Sequence, residues 1–369
     1  MTAVSQENIK EKMKRPRWTA AGIVIIFILC AGNGGSGDRL SRRLQKGISY
    51  ATWGRGLYSL PQSDISLSQL AETGANWIAL IVTCYQENTR STSIFATEQT
   101  PTDTDLIHAM NRAHSLGLKV MLKPHLDLWR DPSRWRGEIG PDFDGEKTWE
   151  EWFSSYREFI ERYAELAEKN RADQFCVGTE LLGTSHRASD WRSVVAGIRS
   201  RYSGPLVYAA NHSGEEVSLT WWDAVDIIGV DAYYPLASGT NPSLRDLMAA
   251  WKPRLEQLAG LAAKWQKRLI LTEIGYRSLD GAASQPWNWQ ISGEVDLGEQ
   301  AACYRAALEA FSPQPWFRGI FWWSWGPDPL EGGPADDGYS PHGKPAEDIL
   351  RSWFEIIPRR GGPTKDKHK

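Results

Sequence analysis

Two hydrophobic periods take turns along the chain. Short apolar runs fall at 47–53, 76–85, 119–126, 174–181, 205–211, 226–234, 268–276 and 318–325. Runs of that length, bounded by turn residues, read as buried strands. Between them lie amphipathic stretches at 65–73, 103–116, 148–169, 188–201, 243–265, 297–311 and 345–354, with only a short helical piece near 215–222 in the fifth interval. Strand–helix alternation predicts parallel strands, and eight rounds in about 300 residues predict an α/β fold, a single closed (β/α)8 TIM barrel. A doubly wound open sheet has the same alternation. The count of eight and the lack of a glycine-rich first turn favour the barrel. Thr102-Asp-Thr-Asp105 offers N-caps to the second helix, and Gly117 offers its stop.

Closure of a barrel brings all the C-terminal strand ends to one rim, where barrel enzymes carry their chemistry. Those ends offer Trp53, Tyr85 with Gln86, Lys123 with His125 and Asp127, Glu180, Asn211, Asp231 with Tyr233, Glu273, and Trp323 with Trp325. Each alone has an ordinary structural explanation, such as a salt-bridged carboxylate or a loop-capping histidine. The combination of acids ending strands four and seven with a tryptophan ending strand eight points to a site. Alternation along a strand places either Trp322 or Trp323 against the helices. The same parity predicts that Phe321, Trp323 and Trp325 share the inner face.

Composition and charge narrow the class. The chain has 369 residues and a formal net charge of −3, with no basic excess to recruit nucleic acid. Its 19 tryptophans must fill a core or stack on a flat ligand such as a sugar ring. Lys10, Lys12, Lys14, Arg15 and Arg17 precede the apolar run 18–31, the pattern of an export signal. Residues 1–37 are therefore expected to be a signal peptide or membrane anchor ending in a Gly-rich linker, which places the rest outside the cytoplasm, secreted, periplasmic or membrane-anchored. Leu29 before Cys30 argues against lipidation. Residues 38–357 are expected to form the catalytic domain, as a monomer, and 358–369 a disordered tail. Cys84, Cys176 and Cys303 lack paired spacing, so buried thiols are expected rather than disulfides or a zinc site.

The rim motifs carry a resemblance. From Gly47 to about Leu350 the chain resembles glycoside hydrolase family 113, chiefly β-mannanases, through Leu118-Lys-Val-Met-Leu-Lys-Pro-His125, Phe175-Cys-Val-Gly-Thr-Glu-Leu181, Tyr208-Ala-Ala-Asn211, Ile228-Gly-Val-Asp-Ala-Tyr-Tyr-Pro235, Thr272-Glu-Ile-Gly-Tyr-Arg277 and Phe321-Trp-Trp-Ser-Trp325. The resemblance implies Glu180 as acid/base and Glu273 as nucleophile, with Lys123, His125, Asn211, Asp231, Tyr233 and Trp323 around the sugar. Trp53, Gln86 and Trp325 complete the expected substrate-binding set. One position departs from the wider clan: Thr179, not asparagine, precedes the acid/base, so another group must serve the sugar 2-hydroxyl.

The expected substrate is a β-linked polysaccharide or oligosaccharide, and the resemblance implies retaining endo-hydrolysis of β-1,4-mannosidic bonds in mannan or manno-oligosaccharides, with carboxyl groups about 5–5.5 Å apart and neither cofactor nor metal required. Hydrolysis of another β-glycan, or carbohydrate binding without turnover, are the alternatives. Two intact carboxylates argue against the latter.

Overall fold

The structure is a computed structural model that describes residues 44–356. The expected leader, with its apolar run 18–31 and Cys30, lies outside the described residues, as does the expected tail. Eight parallel strands close on themselves in sequence order: β1 (Gln45–Tyr50), β2 (Trp77–Gln86), β3 (Lys119–Leu128), β4 (Gln174–Thr179), β5 (Leu206–Asn211), β6 (Ile227–Asp231), β7 (Leu269–Ile274) and β8 (Phe317–Trp325). The helices are α1 (Pro61–Glu72), α2 (Asp103–Ser115), α3 (Gly145–Lys169), α4 (Ala188–Arg199), α5 (Glu215–Ser218), α6 (Leu244–Trp265), α7 (Leu297–Phe311) and α8 (Pro345–Ile356). The alternation read from the sequence is thus the architecture, including the short fifth unit. None of the described helices is long and apolar enough to cross a membrane.

Strands covered on both faces explain the continuous apolar runs. All ten residues of β2 are buried. Inside the barrel, Trp77, Ala79, Ile81, Met121, Cys176, Val207, Ala209, Ile270 and Phe321 interdigitate. Gly47 belongs to that packing, because a Cβ there would stand 2.2 Å from the Phe321 ring. Outside, α3 presents Trp152, Tyr156, Phe159, Ile160 and Tyr163 at helical spacing to the sheet. Thr102 Oγ1 accepts from Asp105 N while Asp105 accepts from Thr102 N, a reciprocal cap of α2. Cys84, Cys176 and Cys303 are free and buried.

Strand β4 ends one residue before Glu180, because Glu180 adopts a left-handed φ of 52° that breaks the extended ladder. Its pairing with β5 shifts register between Cys176 and Thr179. A left-handed backbone at a non-glycine residue costs on the order of 1 kcal/mol and concentrates at functional positions.

Candidate active site

At the rim, β3, β6 and β7 converge on Glu273. Lys123 Nζ lies 2.5 Å from Glu273 Oε1 and also contacts Asp231 at 3.2 and 3.3 Å. Tyr233 Oη donates to Glu273 Oε2 at 2.8 Å. Both carboxylate oxygens are therefore fixed, with one lone-pair region of each left for a ligand. Burial opposes the charge of Lys123, but Asp231 and Glu273 more than offset it and hold its pKa above the ordinary lysine value. Asp231 accepts from Thr272 Oγ1 at 2.7 Å, and burial, reinforced by the charge of Glu273, pushes its carboxyl well up.

Glu180 projects from the end of β4, half-buried. Its backbone N–H donates to Ala209 O at 2.8 Å, and its Oε1 accepts from Asn211 Nδ2 at 2.7 Å. Burial raises its pKa and the charge of Glu273 adds to the rise, against the opposing pull of Arg136, Asn211 and Lys123. The two acids thus have different surroundings: Glu273 meets a cation and a phenol, Glu180 an amide.

His125 stacks on Trp323, with ring centroids 6.1 Å apart and planes 8° from parallel, and Trp53 meets Trp323 edge-on at 6.2 Å. Arg136 Nη1 lies 3.1 Å from His125 Nδ1. A guanidinium can only donate, so Nδ1 accepts and the ring proton sits on Nε2, 3.5 Å from Glu273 Oε1. That buried Nε2 has no hydrogen-bond partner among the described residues, which leaves it available to a ligand hydroxyl. Burial, then Arg136 and Lys123, push the His125 pKa well down, so the ring is neutral. Sequence reading missed Arg136 because it lies in the long loop after β3, where periodicity assigns no face. The signal available was a loop rich in arginine and tryptophan, with Arg130, Arg134 and Arg136 beside Trp129 and Trp135.

The structure brings Glu180, Glu273, Lys123, His125, Asn211, Asp231, Tyr233, Trp323 and Trp53 to one rim. It sets two expected residues apart. Gln86 points outward, where its Oε1 accepts from Trp152 Nε1 of α3 at 2.9 Å and its Nε2 donates to Asn88 O. Trp325 is also outside: its Nε1 donates to Ser66 Oγ of α1 at 2.9 Å and its ring packs on His342. Parity failed there because the β1–β8 register shifts between Ile48 and Tyr50, so that Tyr50 pairs with Trp325 instead of Ser324. Trp322 stacks on Tyr304 of α7 at 3.7 Å, as expected for the outward member of its pair. Lys123 and Asp231 are fully buried, so they act on a ligand through Glu273 rather than by touching it. Thr179 is buried, its hydroxyl 3.8 Å from Cys176 Sγ.

A closed parallel barrel that presents acids from strands four and seven beside stacked aromatic rings is a glycoside hydrolase. Residues 48–344 match the profile of Glycoside Hydrolase Family 113, and the chain belongs to that family. It is similar to the β-mannanase AaManA from Alicyclobacillus acidocaldarius, solved in complex with ManMIm, at 33% identity over 85% of this chain and 98% of that one, with a TM-score of 0.77. A second structure, a complex of a GH113 β-1,4-mannanase, is 28% identical over 85% and 99% of the two chains, also at 0.77. A β-glucuronidase from Ruminococcus gnavus shares the fold alone, at 12% identity over 84% of this chain and 49% of that one, TM-score 0.55. No curated protein sequence matches.

Proposed function

We propose that this chain is a retaining endo-β-1,4-mannanase that cleaves mannan or manno-oligosaccharides by double displacement, with Glu180 as acid/base and Glu273 as nucleophile. The observation that carries the reading is the unequal environment of the two acids. A nucleophile needs a negative oxygen held in place, which Lys123 and Tyr233 provide for Glu273. An acid needs its proton at working pH, which burial gives Glu180. Glu180 protonates the leaving oxygen as Glu273 attacks the anomeric carbon. The same Glu180 then takes a proton from the water that releases the sugar. The mannan preference follows the two similar β-mannanases.

Assay of the purified protein on mannan, glucomannan, cellulose and xylan tests the substrate, with mannan the expected best. NMR of the first-formed product is expected to show the β-anomer; an α-anomer would rule out double displacement. Glu273→Ala should lose nearly all turnover and yield an α-glycosyl azide when azide is supplied.

We also propose that the domain works outside the cytoplasm, on the basis of the basic-then-apolar leader at 10–31. Recovery of full-length protein from the soluble cytoplasmic fraction would refute this.

A further inference from the structure

The site has a third glutamate beneath it that the reaction does not use. Glu215 begins α5, four residues after the end of β5, and is fully buried. Its Oε2 accepts from the backbone N of Asn211 at 2.7 Å, and its Oε1 accepts from Tyr208 Oη at 2.5 Å. Tyr208 Oη in turn accepts from the backbone N of Leu181 at 3.1 Å. Asn211 is the residue whose side-chain amide binds Glu180 Oε1, and Leu181 is the residue after Glu180. One carboxyl is thus tied to both the side chain and the following peptide of Glu180, through one intermediary each.

Nothing in this assembly is loose. The Tyr208 ring meets Trp191, Trp221 and Trp222 at centroid separations of 5.0–6.1 Å, and all four are buried. Gly178 leaves room for it: a Cβ there would stand 2.8 Å from Tyr208 Cε2 and 2.9 Å from Tyr156 Oη. Glu180 needs such support because its left-handed backbone is not the one its own sequence prefers. A buried carboxyl is a costly way to supply two acceptors unless their placement matters.

We propose that Glu215 is a positioning residue that holds Glu180, the proton donor, through Asn211 and Tyr208. Burial raises the Glu215 pKa to about 8, and the nearby charge of Glu180 contributes to the rise. The titratable groups facing it are Tyr208 from β5 and Glu180 from the end of β4.

The inference rests on the acid/base assignment of Glu180, and leaving-group dependence tests it. Glu215→Leu removes both acceptors at similar volume, whereas Glu215→Gln keeps one oxygen to accept from Asn211 N and loses only the acceptor for the Tyr208 hydroxyl. kcat/KM, which reports the first chemical step, is measured on mannan and on an aryl β-mannoside whose phenolate leaves without a proton. A donor displaced by about 1 Å costs up to about 100-fold. Glu215→Leu is expected to lose about 10- to 100-fold on mannan and less than about 3-fold on the aryl glycoside, with Glu215→Gln restoring part of the loss. Should Glu215→Leu not fold, Tyr208→Phe, which deletes one hydroxyl, is expected to show the same divergence between substrates. Equal losses on both substrates, or no loss on either, in whichever variant folds would overturn the proposal. Failure of the unsubstituted enzyme to hydrolyse either substrate would instead overturn the mannanase reading.

Discussion

Lys123 joins Glu273 through a 2.5 Å contact between Nζ and Oε1, in a place where the lysine has no exposed surface at all. The same ammonium contacts Asp231, so one cation serves two buried carboxyl groups. Lys123→Met would leave them without it. Breaking a buried pair by removing one partner costs roughly 3–5 kcal/mol. Urea unfolding should show a loss of that order, and kcat/KM on mannan should fall by about 100-fold or more. A stability change below about 1 kcal/mol would mean that the network is not electrostatically coupled.

The alkaline limb of the pH–rate profile should belong to Glu180. A donor must start protonated, and the raised pKa of Glu180 keeps its proton to higher pH than an ordinary carboxyl. Activity is therefore retained below that raised value and lost as pH rises through it. Arg136 opposes the rise, because a nearby cation favours the carboxylate. Arg136→Met should accordingly move the alkaline limb of kcat/KM to higher pH. Movement to lower pH would contradict the assignment of that limb to Glu180.

Trp53, half exposed and edge-on to Trp323, is placed to cover a sugar ring beside the cleavage point. Trp287 offers a second exposed face, tilted against His212, the neighbour of Asn211. Aromatic contacts of this kind contribute about 0.5–1.5 kcal/mol beyond burial. Trp53→Ala and Trp287→Ala should each raise KM for long manno-oligosaccharides by about 3- to 10-fold and leave kcat nearly unchanged. A fall in kcat with KM preserved would place the ring at the reacting sugar instead.

Two tryptophans two residues apart should behave in opposite ways. Trp325→Phe deletes an N–H that donates to Ser66 Oγ, a buried bond whose loss costs about 1–2 kcal/mol. It should lower Tm and leave kcat/KM within about 2-fold. Trp323→Phe shrinks the surface beneath His125 and should cost about 10-fold or more in kcat/KM. Calorimetry and kinetics on the same two variants separate the roles.

That pair also marks where sequence reading ends. Strand–helix alternation was legible because a parallel barrel buries both faces of each strand, so β2 shows as ten apolar-dominated residues with sharp ends. Glu180, Glu273, Lys123 and Tyr233 were legible because topology alone brings the strand ends together. Parity works only while the register holds. The shift in the β1–β8 pairing turned Trp325 outward, and no residue type announces such a shift. Gln86 misled differently: β2 runs one residue past the rim on its outer face, and the partner that claims it, Trp152, comes from a helix 66 residues away. Arg136 and Glu215 were missed because both lie outside strands, where spacing carries no information about direction. Only the tertiary structure shows what they touch.

The Arg136–His125 bond makes the loop after β3 part of the chemistry. Arg136 sits in a single 3-10 turn, Arg136–Glu138, and its other contact is Asp127 at the end of the strand. Loops at this face of a barrel are the usual material for exchanging specificities between relatives. Here such a transplant would carry away the donor that fixes which nitrogen of His125 bears the proton. A chimera with a foreign loop would keep Glu180 and Glu273 and still present Glu273 with an imidazole free to turn its lone pair inward. Cleft redesign in this enzyme therefore has to begin beyond residue 138 or bring its own arginine.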